Sequence, residues 1–385
     1  MTTFSDLKIW DGENLLEADA ISIQGHSITW LGSSDEIIDK TSARSMHGAT
    51  LIPGLIDAHV HLELDPEQSK APTGTAPNVI TLMAERAEKM VRAGITTARD
   101  LGGGAWYELA LRDQIHHGQV TGPRLICAGQ PITCTQGHCH FWGGEADTLE
   151  AAHQVLDRQV AKGVDLIKIM ATGGRMTSGS NPSDAQFEQP VMDSLVHRAH
   201  TLDLPVAAHC HGTEGIKRAA LAGVDTIEHC SWVGQEGWAS DYQAEVASII
   251  LDNGIWVSPT VNKGWQRMLD SQTGTVLKRV RAAYRAMLDM GIPMLASTDA
   301  GIPGVFHADL PHALVVFAAI AQLDNAATLR SATSDAARCL RLDHVTGSIR
   351  TGLEADLLFV DGNPLEHLPA ITKPVAIYAR GQQVV

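Results

Sequence analysis

At 385 residues the chain exceeds one ordinary domain, yet a barrel of about 250–300 residues plus a small second domain would fit. Its 44% apolar and 19% charged residues are those of a soluble globular enzyme with a large core, and no apolar run reaches the roughly 18 residues that a bilayer span needs. The net charge of −15 argues against nucleic acid as a partner, because its phosphates would be repelled.

Both ends of the chain read as short β-like bursts. Residues 1–52 hold Leu7–Trp10, Ala20–Ile23 and Ser27–Leu31, separated by turns at Asp11-Gly12 and Gln24-Gly25. Residues 344–385 hold Ala355–Val360, the turn Asp361-Gly-Asn-Pro364 and Val375–Tyr378. Together they suggest one small β-sandwich built from both termini. The start, MTTFSDLKIWDG, has neither the basic nor the apolar segment of a secretory signal, so a cytoplasmic location is expected. Six cysteines without C-x-x-C spacing favour neither a disulfide framework nor a thiolate zinc site.

The middle, residues 53–343, repeats a strand-then-helix rhythm. The strand-like runs are Gly54–His61, Ile95–Leu101, Arg124–Gly129, Val164–Ala171, Pro205–His209, Val224–His229, Ile255–Pro259 and Ile292–Ser297. Amphipathic stretches lie between them, among them Val79–Ala93, Thr148–Lys162, Asp184–Leu202 and Thr213–Ala222, and several end on a glycine such as Gly94, Gly163 or Gly223. Eight β/α units in a row predict an α/β fold, a (β/α)8 TIM barrel. The stretch Thr172–Asn181, rich in Gly, Thr and Ser, reads as a mobile loop over the barrel mouth.

In such a barrel the working residues sit at the C-terminal ends of strands. The first run ends in His59 and His61; residues two apart on a strand point the same way, so two imidazoles converge as a half-site for zinc or a similar metal. The fourth places Lys168 inside an apolar strand, where burial lowers an ammonium pKa; a neutral amine captures CO2 as a carbamate able to bridge two metals. The fifth and sixth runs end in His209 and His229, neighbours able to share a second metal. The eighth ends in Asp299, which meets the His59/His61 pair if the barrel closes and can take a proton from a metal-bound water. Each piece alone has a blander reading: loop histidines, a salt-bridged lysine, hydrogen-bonded core histidines, a helix-capping aspartate. Their joint placement at strand ends favours ligands.

The motifs PGLIDAHVH, LIKIMATGG, AAHCHG, TIEHC and STDAG, with the tail from Ser331 to Glu366, resemble the amidohydrolase superfamily over nearly the whole chain. The resemblance implies a binuclear centre of two divalent ions, zinc first among them. His59, His61 and Asp299 would hold one ion, His209 and His229 the other, and carboxylated Lys168 would bridge them. Within the superfamily the chain is most similar to the imidazolonepropionase-like group of Xaa-Pro dipeptidases, or prolidase-like enzymes, through Ile167–Gly174 and Gly137-His138. That likeness implies that His138 contacts substrate. Trp232 stands where this group has a substrate-contacting tyrosine.

The expected chemistry is hydrolysis of an amide bond in a small molecule, an N-acyl amino acid or dipeptide. Water between the metals would attack while Asp299 takes its proton and returns it to the leaving nitrogen. Arg175 is a candidate anchor for a substrate carboxylate, although a solvated loop arginine is an equal reading. His211 and His140 would touch substrate or support the ligands, and Trp142 and Trp232 would wall a pocket or pack the core. Alternatives are a cyclic-amide, carbamate or ester hydrolase, a deaminase, and a catalytically inactive metal-binding scaffold. No membrane partner is expected, and homo-oligomerisation is left open.

Overall fold

The computed structural model describes residues 1–39, 41, 43–69, 78–271 and 274–385. The strands are β1 (Thr2–Ile9), β2 (Ala20–Gln24), β3 (Ser27–Gly32), β4 (Ala43–Pro53), β5 (Leu55–Val60), β6 (Ile95–Asp100) and β7 (Arg124–Cys127). They continue with β8 (Ile167–Met170), β9 (Val206–Gly212), β10 (Thr226–Val233), β11 (Trp256–Ser258), β12 (Leu357–Val360), β13 (Pro374–Ala379) and β14 (Gln382–Gln383). Helices α1 (Val79–Arg92), α2 (Tyr107–His116), α3 (Leu149–Lys162), α4 (Gln189–Thr201), α5 (Thr213–Ala222) and α6 (Ala244–Asp252) alternate with the middle strands. After β11 come α7 (Gln266–Asp270), α8 (Thr275–Met290), α9 (Leu310–Ala321), α10 (Asn325–Ser331) and α11 (Ser334–Cys339).

The two chain ends share one seven-stranded sheet in the order β14-β13-β12-β4-β1-β2-β3. Its seam is β12 against β4, with Phe359 opposite Leu51. Phe4 packs on Phe359 and Tyr378 at ring-centroid distances of 5.0 and 5.2 Å, so aromatic side chains from both termini share one core. The union of the two ends is as the sequence predicts. Its strands form a single ladder, however, rather than two separate hydrogen-bonded sheets.

In the middle, strands β5-β6-β7 form one parallel sheet and β8-β9-β10-β11 another. The sheets are not one closed ladder. Isolated parallel bridges join their edges: Ile132 to Ile169, Val257 to Met294, and Val60 to Ala300. Seven of the predicted runs become strands; the eighth, Ile292–Ser297, makes only the Met294 bridge and is otherwise irregular among the described residues. Strand β5 is buried throughout, as a strand covered on both faces must be.

The helices follow their apolar stripes. Helix α3 starts at Thr148, whose hydroxyl accepts from Ala151 N, and stops at Gly163, whose φ of 79° is the left-handed cap that glycine adopts without strain. Helix α4 begins at Gln189 rather than near Asp184, since Pro190 favours the first turn. Helix α8 buries Leu277, Val280, Ala283, Tyr284 and Met287, one stripe of a 3.6-residue period. Among the described residues no helix is long and apolar enough to cross a membrane.

Candidate metal centre

Five side chains at or next to strand ends of the two middle sheets, and Asp299 from the irregular eighth run, line one cavity. His59 Nε2 lies 3.3 Å from His61 Nε2, and Asp299 Oδ1 lies 3.3 and 3.4 Å from those same nitrogens. The His59 ring stands 5.2 Å from that of His229, and the His229 and His209 rings are 4.5 Å apart. Asp299 reaches the pair because its backbone N–H donates to the His59 carbonyl at 2.9 Å and the His61 N–H donates to the Ala300 carbonyl at 2.7 Å. The irregular eighth run therefore docks on β5 at the predicted point without a full ladder. Asp299 has φ +60° and His229 φ +66°. Left-handed backbone of this kind in a non-glycine residue is strained and clusters at functional sites.

Each imidazole is held from behind. His59 Nδ1 donates to Glu228 Oε2 at 2.9 Å, His61 Nδ1 to the Gly102 carbonyl at 3.1 Å, and His209 Nε2 to the Gly173 carbonyl at 3.1 Å. His229 Nδ1 pairs with Thr260 Oγ1 at 2.7 Å, and His211 Nδ1 with Ser231 Oγ at 2.9 Å. A hydrogen bond on one ring nitrogen fixes the tautomer and leaves the other free to ligate, as metal-binding histidines require. Burial pushes His209 and His229 well below the ordinary histidine value and His211 down to about 3, so all three are neutral near pH 7.

The charges are placed as a cation site needs. Burial opposes ionisation of Asp299, but the neighbouring His59 and the close contacts of its carboxylate with His59 and His61 outweigh it and hold the carboxyl well below its usual range. Burial likewise opposes ionisation of Glu228; Arg99, at 2.8 Å, and His59 reverse the balance. Lys168 is buried with no hydrogen-bond partner for Nζ among the described residues. Burial pushes its ammonium down to about 8. An orphaned, partly neutral amine facing neutral imidazoles and an ionised carboxylate is a donor set for borderline divalent cations.

Beyond the ligands lies a cavity of about 490 Å³, in the range of small-molecule sites. His138 borders it, packed 4.5 Å from the His209 ring, with no partner for Nδ1 among the described residues and its pKa pushed down to about 4 by burial. Gly174 is required here, because a Cβ would stand 2.4 Å from the His138 ring. Arg175 is exposed at the cavity edge, its guanidinium 5.0 Å from the Trp238 ring. Trp232 borders the cavity from a wholly buried position, its indole Nε1 unpartnered. Largely apolar side chains complete the lining, among them Trp265, Met268, Val280, Tyr284 and Ile302.

Two sequence candidates fall elsewhere. His140 packs on Phe141 and does not line the cavity, and Trp142 packs 5.2 Å behind His61 in the core. Conversely, the sequence signals no role for Glu228, Arg99, Thr260 or Trp238. Glu228 precedes His229, and strand alternation would turn it away. The left-handed turn at His229 lets both residues reach His59.

The chain resembles proteins of known kind over nearly its whole length. It is 27% identical to the ochratoxinase of Aspergillus niger, covering 95% of this chain and 82% of that one. It is 23% identical to the imidazolonepropionase of Micrococcus luteus, covering 100% and 99%. Among solved structures, a Xaa-Pro dipeptidase with methionine in its active site superposes with a TM-score of 0.86 at 26% identity, over 99% of both chains. Residues 50–384 match the Amidohydrolase family, and the chain belongs to that family.

Proposed function

We propose that this chain hydrolyses the amide (C–N) bond of a small N-acyl amino acid or dipeptide. The observation that carries the reading is the convergence of His59, His61, His209, His229 and Asp299 on a cavity that Lys168 also lines, its Nζ without a hydrogen-bond partner among the described residues. The family and its relatives support the reaction class: an ochratoxinase, an imidazolonepropionase and a Xaa-Pro dipeptidase are all similar to this chain.

The residues fit two divalent cations, zinc first. His59, His61 and Asp299 would hold one and His209 and His229 the other, with a carbamate on Lys168 between them; the amine is buried, its pKa lowered to about 8 by that burial, and among the described residues Nζ has no hydrogen-bond partner. Bound there, the cations would polarise the scissile carbonyl and acidify a water molecule. Asp299, ionised in its pocket, accepts a proton at its carboxylate and passes it to the leaving nitrogen. His138, neutral and unpaired at Nδ1, offers a hydrogen bond to the carbonyl oxygen. Arg175 at the rim anchors a free carboxylate, and Trp232 packs against the acyl side. On this reading residues 53–343 form the hydrolase domain that carries the site, and residues 1–52 with 344–385 form a separate β domain.

The test is a screen of N-acyl amino acids, dipeptides and cyclic amides with metal-reconstituted protein, reading amine release. Turnover of the first two classes, lost in Asp299→Asn, is expected. Fully loaded protein that cleaves none of them would overturn the proposal. Preference for cyclic amides would instead favour the imidazolonepropionase-like reading.

A further inference from the structure

Strand β9 carries a second His-x-His. His209 and His211 stand two residues apart on that strand and share a face, and His59 on β5 and His61 just past its end have the same spacing. The first pair is completed by Asp299. The second is completed by another imidazole: the rings of His209, His211 and His229 are mutually 4.5 Å apart. One potential ligand atom from each lies within 4.8 Å of the others, and all three side chains are buried. Ligand nitrogens about 2.0–2.1 Å from a tetrahedral zinc are about 3.3 Å apart, so each ring needs to move by under about 1 Å. Gly173, Ser231 and Thr260 each bond one nitrogen of a ring, so every imidazole keeps a second nitrogen able to ligate.

We infer that His211 is a metal ligand, and that His209, His211 and His229 form a three-histidine site that takes one zinc- or cobalt-like cation without help from Lys168. Three imidazoles with an open fourth position are a sufficient zinc site, whereas His209 and His229 alone would depend on the lysine carbamate for a third donor. The inference rests on the reading of these strand ends as a metal centre, and it changes what the carbamate is for. It joins two positions that are each already held by three side chains, rather than completing a position that would otherwise be deficient.

The test reads metal, not turnover, so it stands whether or not the substrate screen succeeds. In the full chain, His61→Ala with Lys168→Ala removes the bridge and weakens the first position. That variant, stripped and titrated with Co²⁺ and Zn²⁺, should still bind one cation, with three imidazole nitrogens in its X-ray absorption spectrum. Adding His211→Ala should weaken binding by more than about 100-fold, beyond what loss of a supporting hydrogen bond costs, and should lower the nitrogen count to two. His211→Gln, which preserves more volume, should do the same, and thermal melts confirm that each variant is folded. A folded double variant that binds no cation would overturn the inference. So would a triple variant that binds within about threefold of the double variant with an unchanged spectrum.

Discussion

Lys168 should destabilise the metal-free protein that carries it. Its side chain is 1% exposed, and Nζ has no hydrogen-bond partner among the described residues. Burial is the main cause of its pKa falling from 10.5 to about 8, with Arg99 adding to the fall and Glu228 and Asp299 opposing it. A difference of that size is worth about 3 kcal/mol. Between pH 8 and 10.5 the unfolded chain binds the proton and the folded chain does not, so stability rises with pH there; below pH 8 the full penalty applies. Lys168→Met keeps the apolar stem and removes the amine. In CO2-free buffer without metal it should therefore be more stable than the parent at pH 7 by about 3 kcal/mol, with the gap shrinking as pH approaches 10. Urea denaturation followed by circular dichroism at pH 7, 8.5 and 10 measures it. A variant no more stable than the parent at pH 7, or a gap that does not vary with pH, would refute the argument.

Glu228→Gln leaves Arg99 buried without its counter-charge and weakens the bond that orients His59. It should cost about 3–5 kcal/mol and lower zinc affinity by about 10–100-fold. Because the folded carboxyl titrates well below 4.5, its contribution is full above that pH and is lost as pH falls through the depressed value; urea midpoints of parent and variant should converge only in acid. Asp299→Asn should reduce kcat by about 10²–10⁴-fold while retaining most of the bound metal by mass spectrometry; equal loss of metal and rate would make Asp299 a ligand only. Arg175→Ala should raise KM about tenfold for substrates with a free carboxylate, within the strength of a charged hydrogen bond. The same rise for the corresponding carboxamides would remove Arg175 as an anchor.

The ligands and the substrate surroundings differ in how far the sequence reveals them, and the reason is geometric. His59, Lys168 and His209 lie on strands whose direction is set by burial on both faces, so the two-residue alternation of the sequence is enough to place them. Asp299 is reachable by the same logic only through barrel closure. It arrives there although its own run is not a strand, because two backbone hydrogen bonds to β5 substitute for a ladder. Alternation misleads at Glu228, where the φ of +66° at the next residue cancels the expected reversal; no feature of Thr226–Cys230 announces that turn. The cavity wall is harder still. Trp238 meets Arg175 across two loops, and Tyr284 comes from a helix whose stripe reads as ordinary core. Apolar residues that pack and apolar residues that select a substrate are chemically the same, and only the space left between them distinguishes the two roles. The sequence therefore specifies a reaction class more tightly than it specifies what is cleaved.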